Sequence, residues 1–404
     1  MTHAILNLLL LTSTIYLATT LSLSDTPLGF ASVSKPSKTI EVSTKADLFN
    51  YASKGGYVIY VNDMIDLSEG MMPSEAGGTS SGLDAFVKAN TEYSNYKALV
   101  DAYANACTTS TNDKQAGSSS DMGEIIWTCN HAYGDIVKLK IASNTWIIGT
   151  SANAGFRGGQ VSINGVSNIV LRNLNIKDAY DPFPHHEKGD GYNAQFDAVV
   201  VQGTSENIWV DHCTFEDTLH LINVKTAGST SEKWQTYDGL LDMKNDCSGI
   251  TVSYNKFQNH DKTMLIGSSD KDGDNSKRTI TLHHNYFFNC GQRLPMVRNS
   301  QIHIFNNVYE VDNPYYRSQY CVGVRKNALI IAENNIFGSG INISFKDSKG
   351  TLYASGNSDS AKKSTSTLSS SKPFTVPYGY NLDSVDDALA SVKNEAGSGK
   401  SFSK

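Results

Sequence analysis

The sequence has no basic excess. Its 34 lysines and arginines are outnumbered by 40 aspartates and glutamates, and the formal net charge is −6. A protein that grips nucleic acid by its phosphates needs the opposite balance, so nucleic acid is not expected as a partner. Beyond residue 21 no segment has the roughly 18 uninterrupted apolar residues of a membrane span. With 39% hydrophobic and only 18% charged residues, core material is ample and global disorder is excluded. The 404 residues would suffice for two average domains, but all-β folds often use this length for one. One long apolar run is present, from Ile5 to about Leu21, and it reads as a secretory signal over residues 1–22 although no Lys or Arg precedes it. Residues 23–404 are then expected as one secreted, extracellular domain acting as a monomer. The six cysteines are an even number, as suits an oxidising compartment. Cys107 and Cys129 flank one insertion and are plausible partners; the other four can be bridged or packed as small hydrophobes.

What the chain does have is a repeat. Six segments share the frame apolar, x, apolar, four further residues, apolar or aromatic, starting at Ile169, Ile208, Ile250, Ile280, Ile302 and Leu329. The sixth place of the frame holds Leu174, Cys213, Asn255, Asn285, Asn307 and Asn334. Alternating apolar and polar residues make a strand with one buried face. An Asn after each strand tolerates the left-handed backbone of a sharp turn. Stacked Asn side chains can also hydrogen-bond along a pile. The starts lie 39, 42, 30, 22 and 27 residues apart, which implies stacked coils with loops of unequal length. The fold class predicted is all-β, a parallel β-solenoid.

Outside the repeat, residues 80–106 carry Tyr96, Leu99, Val100 and Tyr103 at helical spacing, and a helical insertion is expected near 80–125. Ser355 to Ser371 is a low-complexity loop. Ser384-Val-Asp-Asp387 opens a short helix near 384–396, with acidic residues in its first turn. Such helices can cap the exposed ends of a solenoid core.

After a turn, each coil is expected to carry a further short strand. These begin Phe196-Asp197, Asp238-Gly-Leu-Leu-Asp242, Asp261-Lys262 and Arg293-Leu-Pro-Met-Val-Arg298. Stacked about 4.8 Å apart, they place carboxylates beside a group of cations on one face. The carboxylates suit a hard, oxygen-ligated cation such as calcium. The cations suit carboxylates on a polyanionic ligand. One spacing strains this picture: Asp238 and Asp242 are about 13 Å apart in an ideal strand, so sharing one ion requires a bend, which Gly239 permits.

At this point the chain resembles the pectate lyase family, with its right-handed parallel β-helix. The resemblance is carried by FDAVVVQGTSENIWVDHCTF, DGLLDMKNDCSGITVSYNKFQNHDKTMLIGSSD and ITLHHNYFFNCGQRLPMVRNSQIHIFNN, covering roughly residues 130–345. It implies Asp197, Asp238 and Asp242 as calcium ligands, Lys262 and Arg298 as binders of substrate carboxylates, and Arg293 as the catalytic base. Gln195 stands where some members carry a further acidic ligand, and Met296 where many carry a further arginine. The implied reaction is calcium-dependent β-elimination in polygalacturonate of the plant cell wall. An arginine normally keeps its proton, so this role requires neighbouring cations and calcium to favour the neutral form, and an alkaline optimum follows.

Three rival functions are weighed. A pectin lyase on methylated pectin would not need the aspartate trio. A β-helix polygalacturonase would use paired aspartates and a Gly-His-Gly, which the chain lacks. A non-catalytic polyuronate-binding β-helix would not need Arg293. Other polar groups have plainer readings. Asp211 and His212 are expected to hydrogen-bond within the stack, and His185, His186 and Glu187 to form a polar loop at the cleft rim. Asp270, Asp272 and Asp274 resemble the start of an EF-hand, but Thr281 replaces its bidentate Glu. Asn342-Ile-Ser344 is a glycosylation sequon. Loops 178–195 and 225–237 would set how the ends of the cleft close.

Overall fold

The computed structural model describes residues 24–72, 80–109, 121–187, 191–218, 234–313 and 315–400. The expected signal at 1–22 and most of the 225–237 loop lie outside these residues. The chain winds through three parallel sheets of ten, nine and eight strands, visited in turn by each coil. One coil, for example, runs Ser167–Arg172, Asn175–Lys177 and Val199–Gln202 before the next begins at Glu206–Asp211. This is a right-handed parallel β-helix, the hand that parallel crossovers take.

The sequence frame therefore covers two strands of each coil rather than one. Its first four places form a strand of the ten-stranded sheet, and its last places start the nine-stranded sheet. The left-handed turn between them falls at the fifth place. Asn173, His212, Tyr254, His284, Asn306 and Asn334 all have φ between 48° and 56° there. This corrects two expectations. The left-handed residue precedes the Asn column, and the sixth segment starts one residue later, because Ile302 pairs with Ile330. Asn335, not Asn334, continues the column.

The column itself is a buried ladder. The backbone N–H of Asn255 donates to Asn285 Oδ1 (3.0 Å), that of Asn285 to Asn307 (2.9 Å), that of Asn307 to Asn335 (3.1 Å) and that of Asn335 to Asn357 (2.8 Å). The side-chain amides link the same residues at 2.9–3.1 Å. Two places on, Phe215, Phe257, Phe287, Tyr309 and Phe337 stack with centroids 4.8–5.0 Å apart. Identical residues recur because each rung presents the same environment to the next.

A helix absent from the sequence reading, Lys45–Lys54, closes the N-terminal end by burying Leu48 and Ala52 in the central core. Thr44 caps it, its side chain accepting from Asp47 N–H. At the other end the low-complexity segment covers the last rung: Ser369 N–H donates to Leu352 O, and Thr365 N–H to Phe345 O. That satisfies strand edges that would otherwise be open. The C-terminal helix, Val385–Glu395, lies along the side instead, packing Ala388 and Val392 on Val308 and Ile336. No disulfide joins Cys107 to Cys129, and the six cysteines are buried within the fold.

The insertion forms three helices, Ser80–Asn90, Tyr96–Thr109 and Asp121–Val137, the last extending past the expected boundary. They share a second core with Tyr180, Phe183, Tyr192, Phe196, Trp234 and Tyr237, on the side of the coil where the chain passes to the eight-stranded sheet. The insertion is thus a flank of that side and not an end cap.

Candidate active site

Of the charged residues singled out from sequence, Asp197, Asp238, Lys262 and Arg293 lie at the turns leading from the nine-stranded to the eight-stranded sheet, Asp242 within a strand of the latter and Arg298 just after one. Asp238 precedes the strand Leu241–Met243, and the chain bends between them, so the ideal-strand separation does not apply. Gly239 lies at the centre of the acidic group. A Cβ built on it would lie 2.3 Å from Asp242 Oδ1 and 2.8 Å from Asp197 Oδ1, so the two carboxylates crowd this glycine and only a hydrogen fits between them. Gly239 N–H donates to Asp197 Oδ1 (3.0 Å), and Leu265 N–H to Asp242 Oδ1 (2.9 Å).

Asp197 and Asp242 are 2% and 1% exposed. Burial pushes both carboxyls above their ordinary value, Asp242 the further because the charge of Asp197 stands beside it. Lys244 opposes this, its ammonium 2.7 Å from Asp197 and 3.3 Å from Asp242. Asp238 behaves differently: burial would raise it, but Lys262 Nζ at 2.7 Å holds it below the ordinary value.

The sequence reading missed Lys244. A signal was available, since residues two apart in a strand share a face and Lys244 follows Asp242 by two. It also missed His260, for which no local signal exists. The imidazole is 2% exposed, with Nδ1 2.6 Å from Asp217 Oδ2 and Nε2 2.7 Å from the Asp238 carbonyl. Both neighbours only accept, so both ring nitrogens donate. The Asp217–His260 pair therefore fixes the backbone that presents Asp238. Asn193 is a third such residue: its Oδ1 accepts from Lys262 Nζ (2.9 Å). It ends the antiparallel pair His185–Glu187 and Gly191–Asn193, which the insertion supports through Tyr103, whose hydroxyl accepts from His186 N–H.

Among the cations, Arg298 Nε donates to the exposed Asp270 (3.1 Å) and Nη1 to Gly267 O (2.9 Å). Arg293 differs. Among the described residues it has no ion pair, and its Nε is buried without a hydrogen-bond partner. Its backbone is left-handed, φ 60°, directly before a cis Leu294–Pro295 bond. Met296 lies in register between Leu265 and Gly323 and accepts a hydrogen bond from the Tyr320 hydroxyl (3.4 Å), so its place in the cleft is apolar. Gln195 is exposed and turned to Asn193 O (3.0 Å), away from the aspartates.

The remaining motifs lie elsewhere. Asp211 bonds Arg172 and Ser253, and His212 stacks on Tyr254, on the turn opposite the site. Asp272 accepts from Ser268 and Asn245, Asp274 from Ser276, and Asp270 from Arg298, so the three aspartates each hold a separate turn.

The sequence profile of the family described as pectate lyase matches residues 72–401. The chain belongs to the pectate lyase family. Pectate lyase E of Dickeya chrysanthemi is 38% identical over 285 residues, covering 65% of this chain and 73% of that protein. A solved pectate lyase bound to a hexasaccharide is 31% identical with a TM-score of 0.76, covering 92% of this chain and 94% of that one. The pectate lyase of Acidovorax avenae subsp citrulli superposes with a TM-score of 0.81 at 20% identity, a likeness of fold alone. The chain is therefore a polysaccharide lyase.

Proposed function

We propose that this chain cleaves unmethylated polygalacturonate by calcium-dependent β-elimination, with Arg293 as the base, Lys262 and Arg298 binding uronate carboxylates, and Asp197, Asp238 and Asp242 holding calcium. The observation that carries the reading is Arg293, a guanidinium with no carboxylate partner among the described residues and an orphaned buried N–H, beside a cluster of acids. An arginine bound to a carboxylate would have its donors occupied, whereas among the described residues no carboxylate takes those of Arg293.

The donor set fits a hard cation. It is all oxygen, and its two most buried carboxyls are crowded around Gly239 and raised by burial, Asp197 further by Asp238 and Asp242 by Asp197. Yet among the described residues no three acidic, His or Cys side chains already form a cage, since Asp238 is turned to Lys262. The bound uronate's own carboxylate is the natural remaining ligand. Calcium, when bound, would draw off the charge that builds on that carboxylate as the neighbouring C–H ionises.

The chain's own residues do the rest. Lys262 and Arg298 orient the uronate. Arg293 takes the proton from C5, the C5–H electron pair forms the C4–C5 double bond, and the C4–O pair leaves with the glycosidic oxygen, which takes a proton from water while Arg293 returns its own to solvent. A 4,5-unsaturated sugar results. Secretion is part of the same proposal: the apolar run Ile5 to Leu21 would route the enzyme to its plant-wall substrate, and among the described residues no helix is long and apolar enough to cross a membrane.

The test follows unsaturated product by ultraviolet absorbance on polygalacturonate and on methylated pectin, with and without a chelator. Product from the unmethylated polymer that vanishes with chelator and returns with calcium is expected. Chelator-resistant product from methylated pectin would favour a pectin lyase, and new reducing ends without unsaturation a hydrolase.

A further inference from the structure

The carboxylates assigned to calcium are not waiting empty-handed. Asp197 and Asp242 are buried side by side, and the ammonium of Lys244 bridges them at 2.7 and 3.3 Å. Two adjacent buried carboxylates cannot both stay ionised without a counter-charge. A lysine tethered two residues from one of them supplies that charge at a high effective concentration.

We propose that Lys244 is a tethered counter-ion that competes with calcium for Asp197 and Asp242, and so sets the calcium concentration at which the enzyme switches on. This rests on the calcium reading above. Its geometry supports displacement as a route. The Lys244 side chain is 23% exposed, whereas both carboxylates it binds are nearly fully buried, so the lysine and not the acids is free to move. Lys244 directly follows the strand Leu241–Met243, whose backbone N–H and C=O groups are tied into the sheet, so a side-chain rotation suffices. A lysine that served packing alone would leave calcium affinity unchanged when replaced.

The experiment measures calcium binding to the full chain by calorimetry, without polymer, for the native protein, Lys244→Met and Lys244→Arg. Lys244→Met should bind calcium at least tenfold more tightly, while Lys244→Arg, which keeps the charge, should stay close to native. Should Lys244→Met fail to fold, the native protein still decides. Lys244 should be slow to react with an acetylating reagent in chelator and become reactive when calcium saturates, as read by mass spectrometry of its peptide. Unchanged or weaker calcium binding in Lys244→Met, or Lys244 reactivity indifferent to calcium, overturns the tether alone. Absence of calcium binding in all three proteins, also when the titration is repeated with oligogalacturonate present, overturns the calcium reading with it.

Discussion

Replacing one interior rung of the asparagine ladder gives a quantitative test of what holds the coils in register. In Asn285→Ala four hydrogen bonds disappear. Asn285 no longer donates to Val252 O (2.9 Å) or Asn307 Oδ1 (2.9 Å), and no longer accepts from Asn255 N–H (3.0 Å) or Asn255 Nδ2 (3.1 Å). Asn255 Nδ2 keeps Val210 O and Ser253 O, so its loss is mild. Asn255 N–H is left as a buried orphan. An orphaned buried donor costs about 1–3 kcal/mol, and each ordinary bond lost about 0.5–1.5 kcal/mol. The sum is about 2–6 kcal/mol, a large part of the roughly 5–15 kcal/mol that keeps a typical domain folded. Asn357 is the matched control. It is the last rung, half-buried, accepting from Asn335 and donating only to Ala332 O (3.0 Å). Asn357 is itself half-buried, so water can take the place of its side chain, and Asn357→Ala should cost less than half as much. Denaturant midpoints with unchanged m-values would measure both. A cost below about 1 kcal/mol at Asn285, or equal costs at the two rungs, would refute the ladder as a source of stability.

Arg293→Lys should lower turnover by at least about a hundredfold, the scale of a lost general base, while polymer binding is largely retained in a pull-down on polygalacturonate; near-normal turnover would reject the assignment. Asp242→Asn should do two opposite things: abolish calcium-dependent product, and raise the thermal midpoint measured in chelator. The sign follows from the raised carboxyl, because the folded state holds that proton more firmly than the unfolded one, so ionised Asp242 opposes folding at neutral pH. A lower midpoint would show that its hydrogen bonds outweigh the charge. At the other end of the molecule, burial would raise Glu333, but His303, Tyr380 and Lys372 hold it down at about 2. Its contribution to stability is full above the ordinary value of 4.5 and is lost as pH falls through 4.5 towards 2. Glu333→Gln should therefore be less stable than the native chain at pH 6 and equal to it near pH 2, and a gap independent of pH would sink that account.

Much of this was legible in residues alone because a solenoid is nearly one-dimensional. Each coil meets only its neighbours, so periodic Ile, Asn and Phe record contacts directly. The charged pieces were legible for the same reason, Asp197, Asp238, Lys262 and Arg293 each opening the corresponding turn of successive coils. The one-residue slip at Leu329 arose where Asn334 and Asn335 adjoin, since either satisfies the pattern and only pairing with Ile302 chooses.

What sequence could not carry were contacts set by loops of unequal length. His260 reaches the Asp238 carbonyl across 22 residues, and Asn193 reaches Lys262 across 69. The fold decided that the insertion flanks the cleft rather than capping an end, because its aromatic residues find Tyr192, Phe196 and Trp234 there. It also decided that Lys244 sits between Asp197 and Asp242. Alternation placed Asp242 and Lys244 on one face, but Asp197 precedes the Val199–Gln202 strand and is out of phase with Asp242, so only the bend of the chain and the burial of two adjacent carboxylates bring the ammonium between them.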